Sequence, residues 1–352
     1  MKRSSKFTAS RVKVALQALR VIALTSLAAA VVVAQSSVST RPDVPSLKQQ
    51  HRVEDSQNAV KLATVLVSVP VTVTDRSGRA ISGLKKENFR VYEDRVEQPI
   101  RFFSDEDSPA SIGVVFDVSG SMRDAKIIQA REALSRLIRT SHEQDEYFVV
   151  SFNSTPHLLL AGTRNAEAVL NQFENVYPSG ETALYDAVNL GIQQVSHGAY
   201  PKRALILISD GEDNHSRCSL KELRRSVQES DVAIYTLRIG GITQRQTMAR
   251  AVMDSVAQMT MDNLASITGG RAFWPWNSRE MDEAFERIAW ELRHQYSIGY
   301  IPSNYVADGK LHRIKVALTV PGNLSSMVVR NREGYYAVEK TDSYQNHSAR
   351  RY

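Results

Sequence analysis

Residues 112–121 read IGVVFDVSGS. The unbroken apolar or small run Ile112–Phe116 marks a strand buried on both faces, where no alternation with polar positions survives. The run ends on a carboxylate, and two serines follow at alternate positions: Asp117, Ser119 and Ser121. A buried strand that delivers polar groups at its carboxyl end is how open α/β sheets build their ligand sites.

Outward from this stretch the pattern repeats. Apolar runs at Tyr147–Phe152, Ala204–Ile208 and Val232–Leu237 alternate with helically spaced segments at Ala125–Ile138, Ala183–Val195, Leu220–Val227, Met248–Ile267 and Arg279–Leu292. Gly269-Gly270 reads as a helix C-cap, and Ala272-Phe273 as a short strand beyond it. Strands alternating with helices specify an α/β fold with a doubly wound, mainly parallel sheet, and residues 110–294 suffice for one such domain.

The flanks are different. Val65–Thr74, VLVSVPVTVT, alternates with period two and reads as a half-buried strand. Pro70 inside it points to an edge position or a bulge. Phe89–Tyr92 and Ile100–Phe103 are further short strands, as are Gln295–Tyr300, His312–Val320, Val328-Val329 and Tyr335–Val338 beyond the α/β segment. Neither 61–108 nor 295–338 is large enough to bury a core alone, so the two are expected to form one small β domain.

The chain of 352 residues carries a formal charge of +6. Residues 1–34 hold Lys2, Arg3, Lys6, Arg11, Lys13 and Arg20 and no acid, so these six account for the whole excess. No basic run marks the rest, which argues against nucleic acid as a partner. Residues 21–34, VIALTSLAAAVVVA, follow the basic stretch as an uncharged apolar run and end at Val32-Val33-Ala34. That order is the pattern of a secretory signal peptide cut after Ala34. The run is short for a spanning helix, so a membrane enters only if the segment stays uncleaved as an anchor. The expectation is an exported protein, secreted or periplasmic. Residues 35–60 read as a polar linker and 339–352 as a disordered tail. Cys218 is the only cysteine, so no internal disulfide forms.

Three segments fall at strand carboxyl ends: DVSGS at 117–121, GET at 180–182 and SDGED at 209–213. Carboxylate and hydroxyl oxygens of this kind suit Mg²⁺, Mn²⁺ or Ca²⁺ rather than soft metals. Mg²⁺ keeps several waters and takes few protein carboxylates, which leaves a position for a partner. The same residues also suit turns and helix N-caps, so residue type alone leaves both readings open. Glu212, Asp213 and Asn214 read as a solvated acidic loop or an outer shell. His215 reads as a loop histidine, with a second-ligand role as the alternative. Phe273-Trp274-Pro275-Trp276 reads as an aromatic group packed against the β domain or as a docking surface.

Asp117, Ser119, Ser121, Thr182 and Asp210, in this order on alternating strands and helices, resemble the von Willebrand factor A (vWA) domain. The metal-ion-dependent adhesion site of that family has the form DxSxS, then T, then D. The resemblance covers 110–294. The flanks resemble a vWA-related family of secreted bacterial proteins, through Val69–Phe89, the QYSIGY stretch at 295–300 and GYY at 334–336. The resemblance implies a metal on the sheet's upper rim. Ser119, Ser121 and sometimes Thr182 would bind it directly, Asp117 and Asp210 directly or through water. A partner's Asp or Glu carboxylate would complete the shell.

No nucleophile elbow, P-loop, dinucleotide fingerprint or HExxH motif occurs. The stretch at Asp117 resembles the aspartyl-phosphatase DxDx(T/V) motif, but position 119 is Ser, which lacks the acidity of the carboxyl that serves there as general acid. The sequence is therefore read as a metal-dependent protein-binding module and not an enzyme. The alternatives are a scaffold with a non-functional site and a metal-dependent hydrolase.

Overall fold

Strand β5 (Ala110–Asp117) is buried at every residue, because it lies at the centre of a six-stranded sheet with helices on both faces. A computed structural model describes this sheet and its surroundings over residues 65–123, 125–173, 176–239, 248–319 and 327–337. The expected signal segment 1–34, the linker 35–60 and the tail 339–352 lie outside the described residues. The described residues all belong to one compact unit.

The remaining strands before β5 are β1 (Val67–Asp75), β2 (Phe89–Glu93), β3 (Val96–Gln98) and β4 (Ile100–Ser104). After it come α1 (Ala125–Thr140), β6 (Glu146–Phe152), β7 (Pro156–Thr163), α2 (Ala166–Asn171), α3 (Leu184–Ser196), β8 (Lys202–Ser209), α4 (Leu220–Glu229), β9 (Ala233–Arg238), α5 (Met248–Thr268), β10 (Arg271–Phe273) and α6 (Ser278–Arg293). The chain closes with β11 (Tyr296–Tyr300), β12 (Leu311–Leu318), β13 (Met327–Asn331) and β14 (Gly334–Tyr336).

The central sheet runs β10-β9-β8-β5-β6-β7. All neighbours are parallel except β6 and β7. Alternate residues of the inner strands feed two apolar layers. Ile112, Val114 and Phe116 join α1 and α6 residues such as Leu134 and Phe285. Val115, Leu205 and Leu207 join α3, α4 and α5 through residues such as Val188, Leu223 and Leu264. Three helices begin on side-chain caps: Asn165 accepts from the Ala168 N–H, Asn277 accepts from the Glu280 N–H, and Ser219 and Glu222 form a reciprocal capping box.

The flanking segments make a β-sandwich from both ends of the α/β segment. One sheet is β13-β1-β11-β4 and the other β14-β12-β2-β3. Val69, Val71 and Val73 of β1 share a core with Phe89, Tyr296, Ile298, Ile314 and Val316. Pro70 sits in an inner strand, not at a sheet edge. β11 pairs along Val67–Val71 and β13 only from Val71 onward, so Pro70 lies in the half of β1 with a single neighbour. Its missing N–H leaves no gap in a two-sided ladder.

Strands β3 and β7 and helix α2 add to the elements read from sequence. β7 shows no clean alternation of burial, as an edge strand should. Glu291 of α6, 1% exposed, joins the sandwich to the α/β part: Arg330 of β13 reaches it at 2.6 Å and Arg271 at 3.4 Å. The aromatic group at 273–276 is oriented otherwise than expected. Phe273 belongs to the α/β core, Trp274 packs on the opposite apolar layer beneath Arg238, and Trp276 is 61% exposed. Among the described residues no helix is long and apolar enough to cross a membrane.

Candidate metal site

Asp117 ends β5 at the carboxyl edge of the central sheet and is fully buried. Its two oxygens are both engaged. The Ser119 N–H donates to Oδ1 at 2.8 Å and the Ser209 hydroxyl donates to Oδ2 at 2.5 Å. Burial lifts its carboxyl to about 6, and the neighbouring Asp210 adds to the rise. The Ser119 and Ser121 hydroxyls are 3.0 Å apart, Ser119 buried and Ser121 half-buried.

Asp210 follows β8 and is 4% exposed. Lys126, in the first turn of α1, holds Oδ2 at 3.2 Å. Oδ1 is buried with no hydrogen-bond partner among the described residues. Gly211 turns the chain away at φ +88, a left-handed conformation that glycine adopts without cost. A Cβ there would lie 2.7 Å from the Met261 sulfur of α5.

Thr182, 3% exposed, precedes α3 and comes to the same rim through its backbone. Its N–H donates to Asn214 Oδ1 at 2.8 Å, and its carbonyl accepts the N–H groups of Asn214 and His215 at 3.0 Å each. Two more bonds stitch this loop to the first: Gly120 N–H to Gly180 O at 3.0 Å and Ser179 N–H to Val118 O at 2.9 Å. Three loops distant in sequence are thus tied into one rim.

Four neighbours matter that the sequence reading either missed or read otherwise. Ser209, which the sequence places on the rim only as the start of SDGED, and Lys126 contact the two aspartates directly. Asn214 supports Thr182, and Asp213 accepts from the Tyr185 N–H at the start of α3 at 3.3 Å, so the acidic loop braces the rim while Asn214 itself stays exposed. His215 pairs with Glu181 at 2.6 Å. Cys218 is half-buried, and burial, with Glu222 and Asp186 nearby, pushes its thiol up, away from reactive thiolate character.

The donor set fits a hard divalent cation. Asp117 and Asp210 stand close enough to repel, a single ammonium answers them, and a buried carboxylate oxygen lacks a partner. A second group of convergent ligands lies elsewhere, at Glu93, Asp94 and His312 in the sandwich. Nothing in the sequence singles it out, because His312 lies far along the chain from the adjacent Glu93 and Asp94.

Residues 112–212 match the family model of the von Willebrand factor type A domain. The chain carries a vWA domain. The match takes in β5, the Asp117 loop, Thr182 and Asp210. Among curated relatives, the inter-alpha-trypsin inhibitor heavy chain H4 of Sus scrofa is 25% identical over 199 residues, 53% of this chain and 20% of its own length. An uncharacterized protein of Synechocystis sp. is 27% identical over 138 residues, 38% of this chain and 32% of its own. The chain thus spans between 15% and 32% of the length of such curated relatives. Among solved structures, a von Willebrand factor type A protein from Catenulispora acidiphila covers 80% of this chain and 76% of its own at a TM-score of 0.40 and 14% identity. The vWF domain of the pili tip protein Mfa5 from Porphyromonas gingivalis covers 51% of this chain and 94% of its own at 0.41 and 12%.

Proposed function

We propose that the rim binds a divalent cation, Mg²⁺ or the similar Mn²⁺ or Ca²⁺, and through it holds an Asp or Glu carboxylate of a protein partner. Ser119, Ser121, Thr182 and Asp210 would hold the ion, and Asp117 would position the serine loop through its bonds to Ser119 and Ser209. The ion supplies an electrophilic coordination position that an incoming carboxylate fills. The observation that carries this reading is the partnerless, buried Asp210 Oδ1 beside a second buried carboxylate.

The surroundings support a protein as the partner. Gly211 abuts Ala257 and Met261 of α5, and the helix runs from there down to Thr268 beside β9. The turns before Ala257 therefore extend alongside and past the rim, by up to about 13 Å at 1.5 Å per residue. They expose Met248, Val252, Met253 and Val256, an apolar face next to the proposed cation. The apolar run at 21–34 behind a basic stretch supports export. vWA domains commonly mediate protein–protein interaction.

One observation favours a second reading, a scaffold that uses no metal: Lys126 already supplies a positive charge to Asp210. Thermal unfolding separates the two. Mg²⁺ at about 100 times its dissociation constant stabilises a native-only site by about 2.7 kcal/mol. The midpoint of the wild type is expected to rise with Mg²⁺ and that of Asp117→Ala to stay. If saturating Mg²⁺, Mn²⁺ and Ca²⁺ all leave the wild type unmoved, the scaffold reading replaces this one.

A further inference from the structure

We propose that Glu93, Asp94 and His312 form a second metal site, in the β-sandwich, for a borderline transition ion such as Zn²⁺. Glu93 ends β2, Asp94 begins the tight turn into β3, and His312 lies on β12, which pairs with β2. One ligand atom from each residue lies within 4.8 Å of the others. His312 Nδ1 is 3.2 Å from Glu93 Oε1 and 3.1 Å from Asp94 Oδ2. Ligands about 2.1 Å from a common ion stand roughly 3.0 to 3.4 Å apart in octahedral or tetrahedral shells, so these separations are those of adjacent ligands. One nitrogen and two carboxylate oxygens suit Zn²⁺ and its neighbours better than Mg²⁺.

Each ligand is also held from behind, as metal ligands are. The hydroxyl of Tyr300 donates to Glu93 Oε2 at 2.5 Å, and that of Tyr335 lies 3.3 Å from both Glu93 oxygens. The Arg313 N–H donates to Asp94 Oδ1 at 2.9 Å, leaving Oδ2 toward the histidine. His312 stacks on Tyr335, and its Nε2 stands 3.5 Å from Asp308 Oδ1, a carboxylate on the far side of the ring. Lys310 answers Asp308, which leaves Glu93 and Asp94 facing one imidazole. A proton on Nδ1 satisfies the same separations, and a metal ion would replace it. Asp94 is half exposed, so the ion has a route in and room for water.

The test uses Co²⁺ as a visible probe and Zn²⁺ by calorimetry on the full chain. Asp94 sits at φ +47, where Asn is readily accepted, so Asp94→Asn removes a ligand charge while keeping the turn. His312→Gln removes the nitrogen. The wild type is expected to bind one equivalent in the sandwich with visible ligand-field bands, and Asp117→Ala to keep those bands. Asp94→Asn and His312→Gln are expected to bind at least tenfold more weakly, with metal-free unfolding of Asp94→Asn unchanged. The proposal is overturned if the wild type binds neither ion, if Asp94→Asn binds as the wild type does, or if the bands vanish in Asp117→Ala, which would place the ion on the sheet rim.

Discussion

The rim of the central sheet and the end of the β-sandwich each bury a carboxylate, and they compensate it differently. Glu93 accepts from Tyr300, lies within reach of Tyr335 and faces His312. Asp117 has a backbone N–H and one hydroxyl, but burial and Asp210 still lift its carboxyl to about 6. At neutral pH the rim keeps a charge that the protein itself does not fully balance. A buried charge is tolerable when a counter-charge completes it, and costly otherwise. The contrast separates a carboxylate that its neighbours answer with two hydroxyls and an imidazole from one whose neighbours include a second buried carboxylate.

The largest expected effect tests that contrast directly. Glu93→Ala leaves the Tyr300 and Tyr335 hydroxyls buried without their acceptor, and is expected to cost about 3 kcal/mol in denaturant unfolding without metal. Asp117→Ala, which also removes an unfavourable charge, is expected to stay within about 1 kcal/mol of the wild type in the same metal-free measurement. Equal losses in the two variants would erase the distinction.

Gly211→Ala is expected to cost about 1–2 kcal/mol, since it puts a Cβ at φ +88 against Met261. Its Mg²⁺-induced rise in midpoint should shrink as well, because the strain falls on the residue next to Asp210. An undiminished Mg²⁺ response would show that Asp210 is not held by this turn.

The smallest effect is the most informative about the rim. Lys126→Met removes the ammonium beside Asp210 and is expected to tighten Mg²⁺ binding by roughly two- to fivefold, as a partly exposed ion pair allows. Weaker Mg²⁺ binding in that variant would mean the lysine orders the site rather than competing for it.

Much of the fold was legible because burial writes itself into local pattern. Ile112–Phe116 is apolar without alternation because helices cover both faces of β5. Val67–Val73 alternates because one face of β1 meets the sandwich core. β7 was not legible, since an edge strand half open to solvent has no pattern to keep. The aspartate and serines of the rim could be read from their spacing at one strand end. The partners of Ser209 and Lys126 could not, because a lone serine or lysine carries no spacing.

The sequence by itself determined the alternation of strands and helices, the β segments on either side, and the spacing of Asp117, Ser119 and Ser121 at one strand end. Each of these rests on residues near one another in the chain. Only the tertiary structure decided which charges meet. Lys126 reaches Asp210 across 84 positions, Ser209 reaches Asp117 across 92, and Glu93 meets Tyr300 across 207. Hydrogen bonds and ion pairs act over a few ångströms of space, and the chain's order does not record which distant residues the folded backbone brings that close.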